Sequence, residues 1–343
     1  MPKTPQYDYL DMTPAEVRDA LAATGHKAFR ARQLADWVYA KGVTHPAAMT
    51  NVPDAVAGEF DFLTSTIAAR AESRDGTTKL LLGLHDSCQV ETVLIPSGKR
   101  ATACVSTQAG CAVGCKFCAS GLGGFQRNIS SGEILEQLLH LRQTTGTAPT
   151  NVVFMGMGEP LANYDATVAA VRAIIDPERF GISARRVTVS TIGLPGAIRR
   201  LAGEDLAITL AISLHAPNDK LRRDLIPTAA KYTIDEILSA AAEFYQARKR
   251  EITIEYVLLA GVNDAEHHAR NLGRLARRLR CNVNLIRYNP VESLPFAPSS
   301  KTATEAFITE LRATGTNATL RQSRGADIAA ACGQLKGARD ARS

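Results

Sequence analysis

From Thr102 onward, short apolar runs alternate with segments of helical periodicity, and this alternation limits the possible folds more than any other feature of the chain. The runs Thr102–Ser106, Asn151–Met155, Arg186–Ser190, Ala207–Ser213, Ile252–Leu258 and Val283–Arg287 have the length and β-branched content of buried strands. Between them, Ser131–Gln143, Asp165–Ile175, Pro195–Ala202, Ile234–Arg248 and Ala265–Arg280 carry apolar residues at helical spacing. Strands separated by helices pair in parallel, because a parallel connection needs a crossover long enough to hold a helix. The pattern therefore predicts an α/β chain whose six strands wrap into a partial TIM-like (β/α)6 barrel. In such barrels chemistry gathers at the C-terminal ends of the strands.

The other segments flank this barrel. Residues 1–75 read as a small helical module. Thr13-Pro14-Ala15-Glu16 is a capping box with proline at the first helical position. Phe29, Leu34, Trp37 and Val38 predict a second helix over Ala28–Tyr39, and a third starts near Asp54. Trp37, the single tryptophan, reads as core rather than as a platform for stacking bases. Residues 76–96 read as a hairpin linker, with strands Lys79–Leu84 and Gln89–Pro96 joined by His85-Asp86-Ser87. Residues 97–327 form the core domain, whose end adds a helix (Thr302–Thr314) and a strand (Ala318–Arg321). Residues 328–343 are a C-terminal tail that carries Cys332.

Composition excludes some classes of protein. Met1–Val17 contains Tyr7, Asp8, Asp11 and Glu16 and has no apolar core, so it is not expected to be a signal peptide. The apolar stretch Leu206–Leu214 is broken by Thr209 and Ser213 and falls well short of the ~20 residues a membrane helix needs. The expected location is cytoplasmic, away from any membrane. Net charge is +6, from 40 basic and 34 acidic residues. The basic residues cluster at Lys99-Arg100, Arg185-Arg186, Arg199-Arg200, Arg222-Arg223, 248–250 and 277–280. Singly, each cluster is a solvated helix end; as a set they lean toward a polyanionic partner.

Seven cysteines, at 88, 104, 111, 115, 118, 281 and 332, make an odd count that argues against a disulfide scaffold. Cys111-Ala-Val-Gly-Cys115-Lys-Phe-Cys118 follows the first barrel strand, where a barrel active site belongs. A structural zinc site wants four ligands, usually in two pairs, and the sequence has no second pair. Three thiolates instead fit a four-iron cluster with one iron left open to a small molecule's amine and carboxylate. The spacing of four then three, with an aromatic before the third cysteine, resembles the radical S-adenosylmethionine superfamily. That resemblance implies a partial barrel of the radical SAM type and a [4Fe-4S] cluster on Cys111, Cys115 and Cys118. It also implies that cleavage of S-adenosylmethionine yields a 5′-deoxyadenosyl radical. Met155-Gly-Met-Gly158-Glu159-Pro160, after the second strand, resembles the superfamily's methionine-binding segment, with Gly158 allowing close approach and Glu159 accepting from the ammonium. Ser190, Ser213-Leu214-His215 and Asn289 end later strands, so the same cofactor pocket is expected to include them.

The rest of the chain narrows the resemblance. Val90-Glu91-Thr92, the cluster loop, Gly156–Pro160, Ser213–His215 and Arg324-Gly325-Ala326-Asp327-Ile328 through Cys332-Gly333-Gln334-Leu335 closely resemble the bacterial RlmN family. The likeness spans nearly the whole chain and departs at Ala326, where the family often has Asp. It implies methylation of carbon 2 of an adenosine in the peptidyl-transferase region of 23S rRNA and, in some members, of an adenosine beside the anticodon of tRNA. Carbon 2 is electron-poor and cannot attack the methyl of S-adenosylmethionine directly. The resemblance therefore implies that Cys332 accepts a methyl group, that Glu91 takes the proton from carbon 2, and that Cys104 resolves the adduct through a transient disulfide with Cys332. It further implies two S-adenosylmethionine molecules per turnover, an RNA-binding N-terminal module, an electron donor such as flavodoxin or ferredoxin, and a monomer. Cys88 and Cys281 read as small buried hydrophobes. Three other readings stay open on the residues alone: methylation of carbon 8, activation of a protein partner by radical chemistry, and a non-catalytic RNA-binding protein with a structural metal.

Overall fold

The computed structural model describes residues 6–337; the last six residues of the expected tail and the first five of the helical module lie outside the described residues. Ten strands form one sheet in sequence order: β1 Thr66–Glu72, β2 Thr78–Gly83, β3 Gln89–Ser97, β4 Arg100–Cys104, β5 Asn151–Phe154, β6 Val187–Thr191, β7 Thr209–Ser213, β8 Ile252–Leu258, β9 Cys281–Arg287 and β10 Ala318–Arg321. β1 to β4 pair antiparallel, and β4 to β10 run parallel. The expected six-stranded barrel is present, and the strand expected near its end, Ala318–Arg321, joins it as a seventh parallel strand. Helices Ser131–Thr145, Tyr164–Ile175, Pro195–Gly203, Ile234–Arg248 and Glu266–Ala276 connect the strands, and Lys301–Ala313 precedes β10. Ser130 and Thr233 cap two of them with full capping boxes. Among the described residues, no helix is long and apolar enough to cross a membrane.

The hairpin Thr78–Ser97 continues the sheet through Val93↔Cys104. Ahead of it, β1 departs from the sequence reading, which made Thr66–Glu72 part of a helical module. Its alanines, arginine and glutamate favour helix by composition. As an edge strand it is mostly exposed, and its pairing with β2 overrides that weak preference. The module itself holds the capped helix Pro14–Ala23, the helix Arg30–Ala35 continued by a π-helical turn to Ala40, and a single turn at Asp54–Ala57. Tyr9 anchors it, its ring within 4.9–5.9 Å of those of Tyr39, Phe60 and Phe62. Trp37 packs partly buried against this core and donates to Asn51 Oδ1 at 2.6 Å. Asp11 accepts from Ser130, Ser131 and the Gly132 amide, and Arg142 donates to the Tyr39 and Ala40 carbonyls. The module is thereby fastened to the first barrel helix.

A full TIM barrel is filled by layers of large branched side chains. Here the register aligns a different inward row. Cys104 pairs with Val153, Val153 with Thr188, Ser213 with Glu255, Glu255 with Asn284, and Ile286 with Arg321. Small and polar side chains leave the lumen open as a cavity of about 790 Å3. The sheet does not close on itself, since β1 and β10 are its two edges. Residues 323–337 bridge that gap.

Candidate active site

Cys111, Cys115 and Cys118 sit in a loop bracketed by a short antiparallel pair, Gln108–Gly110 with Phe125–Asn128, above the end of β4. The loop is pinned by Cys111 N–H to the Gly124 carbonyl (3.0 Å), Lys116 N–H to the Leu225 carbonyl (2.9 Å) and Thr228 Oγ1 to the Val113 carbonyl (3.1 Å). All three cysteines line one cavity of about 160 Å3. Val113, Phe117, Leu225, Ile226, Val257 and Tyr288 pack around them as an apolar cluster. Burial pushes the Cys111 thiol up to about 11 and raises Cys115 and Cys118 as well. Thiolates here therefore need a compensating positive charge, which a bound metal centre supplies.

Among the described residues, no three His, Cys, Asp or Glu side chains converge on a single-ion site. Three soft donors backed by an apolar cluster suit a polynuclear iron–sulfur centre better than zinc. Arg222 adds a fixed cation. It is 1% exposed, and its strongest favourable electrostatic partner is Cys115, with Glu159 also near. Burial pulls its guanidinium down to about 10. The sequence reading placed Arg222 in a basic surface cluster; the structure buries it beside the cluster loop instead.

The cofactor side of the cavity is built from the next strand ends. Gly158 has φ of +99°, which lets the chain pass against Gln108. Glu159 is buried; its carboxylate accepts from Leu161 N–H (3.0 Å) and Ile192 N–H (2.8 Å), while its own N–H donates to Gln108 Oε1 (2.9 Å). Burial raises its pKa against these hydrogen bonds. A carboxylate has about four lone-pair sites, so Glu159 retains capacity for an ammonium group. Ser190 Oγ and Ser213 Oγ lie 3.1 Å apart on the same wall. His215 also lines it, with φ of +59°; burial drives its pKa down to about 3, so the ring is neutral, and Nδ1 accepts from Val257 N–H at 3.0 Å. Leu214 points into the core and does not line the cavity; its N–H donates to the Glu255 carbonyl at 3.1 Å. Asn289 lies lower and donates to the Cys332 carbonyl at 3.1 Å, so it holds the tail.

Cys332 lines both the cluster cavity and the lumen, and Cys104 lines the lumen. Burial, followed by the neighbouring Cys332, pushes the Cys104 thiol up to about 12. The tail bearing Cys332 is held by Ala119 N–H to the Gly333 carbonyl (2.7 Å), Ser120 Oγ to the Leu335 carbonyl (2.6 Å) and Gln334 Nε2 to the Pro290 carbonyl (2.9 Å). It also grips the opposite sheet edge: Ser73 Oγ donates to Asp327 (2.6 Å), Gly325 N–H to Asp75 (3.1 Å) and Lys79 Nζ to the Ala329 carbonyl (3.1 Å). Glu91 belongs to this clasp. One oxygen pairs with Lys79 Nζ at 2.8 Å, and the other accepts from Lys336 N–H at 2.7 Å.

Sequence reasoning missed three residues that wall the site, Glu255, Tyr288 and Arg321, and the buried Arg222 behind the cluster loop. For Glu255 the signal was a lone carboxylate inside an apolar strand, Ile252–Leu258. Cys88 and Cys281 are partly buried against the main core. Of the basic clusters, Arg199, Arg200, Arg248, Arg278 and Arg280 are paired with Glu243, Asp165, Asp205, Asp235 and Glu251.

Comparison with known proteins places these features. Residues 105–272 match the family model of the radical SAM superfamily, and residues 7–60 match that of the ribosomal RNA large subunit methyltransferase N-terminal domain. A probable dual-specificity RNA methyltransferase RlmN of Rhodopirellula baltica is 43% identical over 94% of this chain and 88% of its own length. A protein of the same description from Thermus thermophilus is 45% identical over 90% of this chain and 88% of its own. The crystal structure of a radical SAM methyltransferase from Sphaerobacter thermophilus superposes with a TM-score of 0.93 at 43% identity, covering 96% of this chain and 99% of that one.

Proposed function

The chain belongs to the RlmN family of radical S-adenosylmethionine RNA methyltransferases, and we propose that it methylates carbon 2 of adenosine in 23S rRNA and beside the anticodon of tRNA. The observation that carries this reading is the pair of cysteines outside the cluster loop. A radical enzyme that only removes a hydrogen atom needs Cys111, Cys115 and Cys118. Here a folded-back tail adds Cys332 to the same cavity, with Cys104 on the adjoining lumen wall.

When bound, a [4Fe-4S] cluster and S-adenosylmethionine supply the methyl group and the carbon radical that activates it. Cys111, Cys115 and Cys118 hold the cluster, and Arg222 offsets its negative charge. Gly158, Glu159, Ser190, Ser213 and His215 hold S-adenosylmethionine; Asn289 supports that pocket through Cys332. Two S-adenosylmethionine molecules are used per turnover, one as methyl donor and one as radical source. The Cys332 thiolate takes the methyl carbon by displacement and presents it to the lumen. Once that carbon is bonded to carbon 2 of the base, Glu91 accepts the displaced proton. Cys104, as the thiolate, then attacks Cys332 sulfur; the S–S bond forms, the carbon leaves Cys332 with the bonding electron pair and takes up a proton to become the methyl on the RNA, and an external thiol reduces the disulfide before the next turnover. The N-terminal module contributes RNA contacts, and a flavodoxin or ferredoxin reduces the cluster.

The test is anaerobic reconstitution with S-adenosylmethionine, reductant and protein-free ribosomal RNA, followed by digestion and mass spectrometry. The expected product is 2-methyladenosine; 8-methyladenosine would move the reaction to the other ring carbon, and no methyladenosine from an intact cluster would reject the substrate. Cys104→Ala is expected to trap a covalent protein–RNA adduct. Cys332→Ala is expected to keep its iron and lose all methylation.

A further inference from the structure

Two charged side chains in the lumen have no part in the chemistry above. Glu255 and Arg321 each line both the cluster cavity and the lumen, so they stand where the two meet. The register puts them on one inward face: Glu255 pairs with Asn284, Arg321 with Ile286, and Asn284 and Ile286 are two apart on β9. One strand separates β8 from β10, so the two backbones are roughly 10 Å apart.

Their charges attract each other, but the two groups do not meet in a hydrogen bond or a close ion pair. Among the described residues, no carboxylate forms an ion pair with Arg321; its guanidinium reaches the Met155 thioether at 3.7 Å, a weak acceptor. Glu255, 4% exposed, accepts from Asn284 Nδ2 at 2.8 Å through one oxygen and leaves the other facing the cavity. A nearly unpartnered guanidinium and a half-partnered carboxylate in a low-dielectric cavity are costly unless something completes them. The complement is a flat group with an acceptor nitrogen next to an N–H2 donor.

Adenine carries that pair on one edge, N1 beside the 6-amino group. Carbon 2 is the other neighbour of N1. The foremost electrostatic neighbour of Arg321 is Cys332, followed by Glu255 and then Cys104. A base whose N1 faces Arg321 therefore turns carbon 2 toward the sulfur that would carry the methyl. Resting on the RNA methyltransferase reading above, we propose that Arg321 donates to N1 of the target adenine and Glu255 accepts from its 6-amino group, so that the pair selects and orients the base. Guanine satisfies the pair only when turned over, which carries its carbon 2 away from Cys332. S-adenosylmethionine also contains adenine. The RNA base is the assigned occupant because the pair also opens onto the lumen that Cys104 and Cys332 line and that Glu159 and His215 do not reach.

The test uses the reconstituted holoenzyme and RNA whose target adenosine is replaced by purine ribonucleoside, which lacks the amine, or by 1-deazaadenosine, which lacks N1. RNA affinity and kcat/KM are both read. The wild type should lose roughly ten- to a hundredfold with each analogue, because a buried polar partner is left unpaired. Glu255→Met should bring the adenosine-to-purine ratio close to one, and Arg321→Met should do the same for 1-deazaadenosine. Glu255→Gln and Arg321→Lys serve if the methionine variants misfold. Equal handling of adenosine and both analogues by the wild type overturns the proposal without any variant. Weaker S-adenosylmethionine binding in the variants, with base discrimination intact, assigns the pair to the cofactor's adenine and also overturns it. Discrimination in affinity without any methyladenosine would defeat the proposed reaction and leave the base reading standing.

Discussion

Gly158→Ala separates the crowding at the loop that carries Glu159 from the ordinary cost of a positive φ. A Cβ at 158 would lie 2.6 Å from Gln108 Cβ, 2.7 Å from its Cγ and 2.8 Å from its backbone nitrogen. None of these is the free end of a flexible side chain. Gln108 is held by Asn128 (2.8 Å) and by the Met157 carbonyl (3.2 Å), and it holds Glu159 N–H (2.9 Å). The loop must move, and Glu159 moves with it. The φ of +99° costs roughly 1–3 kcal/mol in a non-glycine residue. Overpacking adds about 1–3 kcal/mol. Gly98→Ala is the control: φ is +58° and nothing lies within 4 Å of the added Cβ, so only the left-handed conformation is charged, about 1–2 kcal/mol. Unfolding entropy of roughly 2 cal/mol/K per residue converts 1 kcal/mol into about 1.4 °C for a chain of 343 residues. Gly158→Ala should therefore lower Tm by roughly 3–8 °C and Gly98→Ala by roughly 1–3 °C. In isothermal titration, S-adenosylmethionine affinity should fall about tenfold or more in Gly158→Ala and stay unchanged in Gly98→Ala. Equal Tm losses, or normal cofactor affinity in Gly158→Ala, would refute the claim that Gln108 and Glu159 form one rigid support.

Two other outcomes follow from the charges. At Asp75, burial opposes ionisation, but hydrogen bonds from Thr77, Gly325 and Ser73 win and bring the carboxyl down to about 2. A depressed carboxylate stabilises the fold above its unfolded value near 3.8 and loses that contribution as pH falls toward 2. Hydrogen exchange at the Gly325 amide, corrected for its intrinsic rate, should thus accelerate between pH 4 and 2; an unchanged protection factor would remove Asp75 from the clasp. RNA affinity should fall as salt rises, but Arg199→Gln and Arg278→Gln should leave the slope of log K against log salt unchanged, because both guanidiniums are paired with Glu243 and Asp235. A slope reduced by about one per substitution would mean that they neutralise phosphates instead.

The sequence made the barrel legible because its strands are buried and its helices capped, and both are local properties of the chain. The strand Ile252–Leu258 and the helix Ile234–Arg248 fall where the periodicity predicts them. The cluster loop was equally plain, since three cysteines within eight residues have little else to do. Arg222 and Arg321 were not legible, because an arginine beside another arginine or at a strand end is ordinarily solvated. Only the packing of the helix Asp219–Leu225 behind the cluster loop buries the first, and only the pairing of β10 with β9 turns the second inward. Glu91 was singled out by family likeness, but its lock on the tail depends on a contact between residues 245 positions apart, which no local pattern carries.

That lock constrains the order of events. With Lys79 on one oxygen and the Lys336 amide on the other, the Glu91 carboxylate is already engaged at both oxygens. A shift of the tail would remove the Lys336 and Gly337 amides from one oxygen, which frees lone pairs and makes the carboxylate more basic for the role proposed for it. The same tail spans the gap between β1 and β10, so its shift also widens the way into the lumen for a nucleotide. Admission of RNA and release of the base are then one motion, provided that the tail moves as a unit. Asp327→Ala tests that condition, because Asp327 holds Ser73 Oγ and the Arg74 amide at the far end of the tail from Lys336. Exchange at the Gly325, Lys336 and Gly337 amides should rise together, by a common factor, in that variant. Faster exchange at Gly325 with Lys336 still protected would mean that the tail opens in two pieces, and that Glu91 is freed by something other than the opening of the barrel.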